Sequence, residues 1–151
     1  MLHRFVRRLV LFGLLPAALL LTVPAPVIAG PVAVSSVGCG AQCNGQNPNT
    51  YVWWDANEVP HRCRDSAVTL YTYTGPPPYY RSVDLRYSTV CKAAWARAGN
   101  AIHFKVQNSK GLIYEVAFTP SYTPMVERHS GITAKACVFV DYLGFYCGPS
   151  V

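Results

Sequence analysis

Six cysteines constrain this 151-residue chain more than any other feature: Cys39, Cys43, Cys63, Cys91, Cys137 and Cys147, all of them beyond an apolar leader. Met1 to Arg8 carries Arg4, Arg7 and Arg8, an apolar run extends from Leu9 to Leu21, and the small-residue exit Val27-Ile28-Ala29 precedes Gly30. That order reads as a secretory signal peptide over residues 1–29, with its cut after Ala29. If it were kept, Leu9 to Ile28 would serve as a membrane anchor. Pro16, Pro24 and Pro26 interrupt that run, which favours cleavage. Arg7-Arg8 resembles a twin-arginine signal, but Val6 stands where Ser or Thr is usual, so the general export route is expected. An even cysteine count in an oxidising compartment reads as a disulfide framework.

Residues 30–151 would then form a single secreted domain. A chain of this size buries roughly two-thirds of its unfolded surface, so disulfides supply part of its stability. Three of the 13 Lys and Arg residues leave with the leader, and ten remain against seven acids, a balance of +3. The bases are scattered, which excludes the basic stripe of a nucleic-acid binder. A mild positive charge suits anionic polymers of the cell wall.

The chain reads as mainly β. Cys39 to Pro60 is rich in Gly, Asn, Gln and Pro and reads as a loop. Ala67 to Tyr73 alternates, with Val68, Leu70 and Thr72 on one side and Thr69, Tyr71 and Tyr73 on the other. Val83, Leu85 and Tyr87 share a face, as do Ile102, Phe104 and Val106. Asn108-Ser109-Lys110-Gly111 predicts a hairpin between Ala101–Gln107 and Leu112–Phe118, and Ala134–Tyr146 predicts a second. Cys91 to Ala98 is the one helical candidate, rich in Ala and stopped by Gly99. The fold class is therefore a small disulfide-stapled sandwich or barrel of about six strands with one short helix.

Six cysteines allow fifteen pairings. Cys137 and Cys147 flank the last hairpin and are expected to pair. Cys39 and Cys43 look too close to bond each other without strain, so each is expected to reach one of Cys63 and Cys91. The sharper alternative is zinc held by Cys39, Cys43, His61 and Cys63. The irregular spacing argues against it, and no metal or cofactor is expected.

Four blocks carry a resemblance: Cys39-Gly40-Ala41-Gln42-Cys43-Asn44-Gly45-Gln46-Asn47-Pro48, Cys63-Arg64-Asp65-Ser66-Ala67-Val68-Thr69, Val83-Asp84-Leu85-Arg86-Tyr87-Ser88, and Cys91-Lys92-Ala93-Ala94-Trp95-Ala96-Arg97. Over Cys39 to about Gln107 the chain resembles domain-of-unknown-function family 2690, an exported family found mostly in high-GC Gram-positive bacteria. The resemblance implies an extracytoplasmic domain. Other members place it behind a cytoplasmic helix-turn-helix module and a membrane span, which this sequence does not show, and no activity carries over. The C-terminal part, with its own cysteine pair, looks like an addition to the family pattern. Arg86 and Arg97 are expected to stack on Tyr87 and Trp95 as structural contacts.

Catalytic motifs are absent. There is no Gly-x-Ser-x-Gly elbow. His61, His103 and His129 are available to a hydrolase, but Arg128-His129-Ser130-Gly131 reads as a solvated loop. Among Asp55, Glu58, Asp65, Asp84, Glu115, Glu127 and Asp141 no pair stands out for glycoside cleavage. Binding surfaces are better represented. Tyr71, Tyr73, Tyr79 and Tyr80 surround Gly75-Pro76-Pro77-Pro78, which reads as a stiff extended loop. Trp53 and Trp54 sit in the loop-rich N-terminal part. The sequence thus favours a secreted, non-catalytic interaction module with Trp53, Trp54, Tyr79 and Tyr80 as binding residues. Its partner would be a cell-wall polymer or a secreted protein, and a small secreted hydrolase is the alternative.

Overall fold

The structure, a computed structural model, describes residues 38–151. The expected leader over residues 1–29 lies outside the described residues. The described residues form two short 3-10 turns and ten strands: β1 (Val52–Trp54), β2 (Pro60–Arg62), β3 (Ala67–Thr74), β4 (Ser82–Ser88), β5 (Ala93–Ala98), β6 (His103–Asn108), β7 (Ile113–Ala117), β8 (Val126–Glu127), β9 (Ala134–Val140) and β10 (Gly144–Cys147). The turns span Gly40–Cys43 and Cys63–Ser66. One sheet has the order β3-β4-β5-β8, the other β10-β9-β6-β7, and β1-β2 form a separate hairpin. Every pairing is antiparallel.

The two large sheets pack face to face as a sandwich and do not close into a barrel. Val83, Leu85, Ala94 and Ala96 from the first sheet meet Phe104, Val106, Val116, Ala136 and Val138 from the second. Alternation along each strand puts these residues on the inner faces. Tyr71 joins the layers with a polar contact, because its hydroxyl accepts a hydrogen bond from the Ala136 amide at 2.9 Å. Burial raises the Tyr71 phenol above its ordinary range.

The six strands read from the sequence correspond to β3, β4, β6, β7, β9 and β10. The largest departure is Cys91–Ala98, which is not helical. Lys92 adopts a left-handed φ of 55°, which breaks any helix there, and Ala93–Ala98 becomes a central strand paired with both β4 and β8. Alanine's helix preference is a few tenths of a kcal/mol per residue, so the tertiary site overrides it. The small methyl groups of Ala93, Ala94 and Ala96 are fully buried there.

The regular alternation expected along Ala67–Tyr73 and the face shared by Ile102 with Phe104 also change. Thr69 faces Arg86 and Tyr71 faces Leu85, which leaves Leu70 as a bulge. The bulge breaks the alternation, so Leu70 packs on the core along with Tyr71 and Tyr73, while Val68 is 46% exposed. Ile102 precedes β6 and points outward, and Ala101 is buried instead.

Cys137 and Cys147 are direct cross-strand partners and form the expected disulfide. The other two bridges correct the sequence reading: Cys39 bonds Cys43, and Cys63 bonds Cys91. The reason is the turn at Gly40–Cys43. It draws the Cα atoms of Cys39 and Cys43 to 5.5 Å, within ordinary disulfide reach, where an extended loop would hold them apart. Gly38 makes the approach to Cys91 feasible, since a Cβ there would lie 2.2 Å from the Cys91 carbonyl oxygen.

All four sulfurs lie within 4.8 Å of one another. They form a second buried cluster with Ala93, Trp95 and Met125. Chain-entropy arguments make the bridge that closes the longer loop the more stabilising one. Replacing Cys63 and Cys91 together with Ser is expected to cost about 3–4 kcal/mol, against about 2 kcal/mol for Cys39 and Cys43. Urea unfolding of the two double variants checks the order, and equal losses would contradict it.

Candidate functional site

Strands run lengthwise between the two ends of the sandwich, so the connections gather at those ends. At one end lie the β3–β4 loop, the start of β6, the end of β7 and the β9–β10 turn. Pro77 to Tyr79 form a turn in the first of these, in place of the extended polyproline segment expected. Exposed aromatic residues collect here. Tyr79 is 37% exposed, Tyr80 58%, Phe118 77% and Tyr142 99%.

Three of these residues share a further property. Tyr80, Phe118 and Tyr142 have φ of 43°, 71° and 63°. A bulky residue in the left-handed region is uncommon and costs on the order of 1–3 kcal/mol. Burial usually offsets such a cost, and these rings are exposed. Phe118 is held by its own amide, which donates to the Ile102 carbonyl.

A pocket of about 240 Å³ opens among these loops. Tyr79, Ile102, Phe118 and Phe139 give it apolar walls, and Arg81, His103 and Asp141 stand at its polar edge. The floor continues onto the outer face of the second sheet. His103 on β6 lies opposite Phe139 on β9, and Phe139 lies opposite Phe145 on β10. The ring centroids are 4.6 Å apart for His103–Phe139 and 5.2 Å for Phe139–Phe145. Lys105 Nζ sits 3.9 Å over the Phe145 ring, and His103 Nε2 meets Glu115 on β7. Cross-strand pairing in alternate positions assembles this strip.

Of the residues singled out in sequence, Tyr79 and Tyr80 belong to this end. Trp53 and Trp54 do not join them. They lie on β1, whose hairpin packs beside the cysteine cluster, and the eight residues of β3 separate that end from the Tyr79 loop by about 25 Å. Trp53 stacks on His61 at 5.4 Å, and Trp54 is 60% exposed. His61, a zinc ligand in the alternative reading, bonds Asp55 at 3.0 Å, and the sulfur cluster instead includes Cys91. The His61 contact, with the Val59 and Asn57 amides, holds the Asp55 carboxyl below its usual value. Phe118, Phe139 and Phe145 went unmarked in the sequence, where each is an ordinary strand or strand-end aromatic.

The arginine stack is also different. Arg128, not Arg86 or Arg97, lies over Tyr87, at 4.4 Å. Arg86 donates to the Thr69 hydroxyl and the Ala67 carbonyl. Arg97 donates to Asp84 Oδ2 from both Nε and Nη2, at 3.1 and 2.6 Å. Trp95 is buried against the cysteines.

Each histidine among the described residues faces an acid: His61 with Asp55, His103 with Glu115, His129 with Glu127. Among the described residues no Ser or Thr hydroxyl bonds any of them. The hydroxyls pair elsewhere, as Ser66 with Ser88, Thr72 with Asp84 and Thr133 with Ser150. Asp55, Asp65, Asp84, Glu115 and Glu127 each meet a different base.

The described residues thus form a disulfide-braced β-sandwich with an aromatic loop end. The family described as "Protein of unknown function (DUF2690)" matches residues 41–137, well over half of the chain, and the chain belongs to that family. The match runs on to Cys137, so β6, β7 and most of the second sheet are family structure rather than an addition. No curated protein and no solved structure matches the chain. Among the described residues no helix is long and apolar enough to cross a membrane.

Asp84 is the charge on which the first sheet leans. Burial pushes its carboxyl up, but the Thr72 hydroxyl and Arg97 together outweigh that, and the net shift is downward. A carboxylate lowered in the folded state stabilises above its unfolded pKa of about 4, and that contribution is lost as pH falls through the folded value. Asp84→Asn is therefore expected to lose about 1–3 kcal/mol at neutral pH. Thermal melts from pH 7 to pH 2 check this, because the variant's stability should fall less steeply than the parent's below about pH 4.

Proposed function

We propose that this domain is a secreted, non-catalytic binding module that holds a glycan polymer of the cell envelope at its Tyr79–Phe118–Tyr142 end. The observation that carries the reading is the set of three exposed aromatics in left-handed backbone conformations, all at that one end. Costly backbone without burial is more often kept for recognition than for stability. Exposed apolar surface gathered in one place points the same way.

The pocket of about 240 Å³ is smaller than ordinary small-molecule cavities and fits one ring at a time. That suits a polymer read unit by unit. Aromatic faces take the apolar faces of sugar rings, while Arg81, Asp141 and His103 offer hydrogen bonds to hydroxyls at the rim. Three disulfides brace the sandwich that carries these loops and fit an oxidising, extracellular setting. Loops already held in their bound shape lose little entropy on binding.

Co-sedimentation of the exported, oxidised protein with purified cell-wall saccharide checks the proposal. Phe118→Ala and Tyr79→Ala should each weaken retention about tenfold, equivalent to about 1.4 kcal/mol, with little change in melting temperature. Retention that is absent from the parent protein, or unaltered in both variants, would refute it.

A further inference from the structure

Cys39, Cys43, Cys63 and Cys91 are placed for a second kind of bond besides their two disulfides. All four Sγ atoms lie within 4.8 Å of one another, and all four residues are buried. We propose that, when its two bridges are reduced, this cluster holds one zinc ion as a tetrathiolate centre, which takes over from both disulfides in seating the N-terminal loop on β5 and β8.

The backbone that sets this geometry does not depend on the S–S bonds. Cys39 and Cys43 bracket a 3-10 turn, and their three-residue gap is within the spacing of paired zinc ligands. The Cys39 amide donates to the Cys91 carbonyl and the Gln46 amide to the Cys43 carbonyl. The Cys91 amide donates to the Ser88 hydroxyl at 3.0 Å. Cys63 opens the second 3-10 turn, which the Ser66–Ser88 hydroxyl pair ties to β4. Trp95 and Met125 pack against the sulfurs. Zinc bonds thiolate at about 2.3 Å, so four ligands in a tetrahedron stand about 3.8 Å apart. That separation lies inside the present span of the cluster, within reach of side-chain rotation.

The donor set selects the ion. Four soft thiolates favour zinc over magnesium or calcium. Full enclosure leaves no open position for a substrate, which marks a structural metal site rather than a catalytic one. Arg62 precedes Cys63 and Lys92 follows Cys91 in the chain, so positive charge stands next to two of the ligands and favours their thiolate form. Cys137 and Cys147 lie apart as cross-strand neighbours on the second sheet and take no part. His61 takes none either, because Asp55 holds it.

Both steps of the exchange balance. A dithiol gives two electrons and two protons to each bridge, breaks its S–S bond and becomes a disulfide itself. The four thiols then release four protons as Zn²⁺ forms four Zn–S bonds. The loop thereby keeps its seat in reducing as well as oxidising surroundings. The centre is independent of glycan binding at the aromatic end.

Metal titration of the full chain, reduced with excess dithiol in urea and refolded without air into metal-free buffer, tests the proposal. Co²⁺ should bind once per chain with the intense visible bands of a tetrahedral tetrathiolate, and Zn²⁺ should bleach them. One equivalent of Zn²⁺ should raise the melting temperature of the reduced protein by at least about 10 °C, because the ion binds the folded state. Cys43→Ser should weaken Zn²⁺ binding at least about a hundredfold, since it removes a direct ligand. His61→Gln should bind as the parent does. So should the double variant Cys137→Ser with Cys147→Ser, because that pair carries no bond in the reduced chain. Absent cobalt bands, binding with no rise in melting temperature, or an unaltered Cys43→Ser would overturn the site. Loss of the bands in His61→Gln would overturn the assigned ligands.

Discussion

Four half-cystine sulfurs within 4.8 Å of one another, under Trp95 and Met125, tie three remote parts of the chain into one knot. The Cys39 amide donates to the Cys91 carbonyl, and Gly45 and Gln46 exchange backbone hydrogen bonds with Met125. The Asn44 side chain accepts the Glu127 amide at 2.7 Å. An N-terminal loop with almost no regular structure is thereby seated on β5 and β8. The sandwich interior needs that help. Apart from Phe104, Leu85 and a group of valines, its central residues are alanines. Small side chains bring two sheets close but remove little apolar surface per residue, so covalent restriction carries a larger share of stability.

The two ends of the sandwich are built differently. One is cross-linked and holds Arg128 over the Tyr87 ring. The other has no disulfide in its loops and presents rings to solvent on backbone that is costly to form. Antiparallel strands make this division natural, because every hairpin sends its turn to one end and its remaining connections to the other. Outward residues on the second sheet, His103, Phe139 and Phe145, then extend the aromatic end along the sheet face.

Much of this was legible residue by residue. Val83, Leu85 and Tyr87 alternate in register with the core, and Asn108 to Gly111 turns where its composition says it should. Cys137 and Cys147 pair because a hairpin makes them neighbours. The Leu70 bulge was not legible, since alternation carries no mark of an extra residue in a ladder. Ala93–Ala98 misled because alanine favours a helix when nothing else decides, and here two flanking strands decide. Tyr79 and Tyr80 stood out through their prolines. Phe118 did not, since what distinguishes it is a backbone angle.

The chain alone determined its β character, its hairpins and its last disulfide, because each depends on residues a few positions apart whose spacing limits their geometry. The tertiary structure alone decided how Cys39, Cys43, Cys63 and Cys91 pair, that an alanine-rich segment runs through the middle of a sheet, and that loops from four strand pairs share one aromatic end. Those outcomes depend on residues distant in sequence, which meet only when the sheets pack.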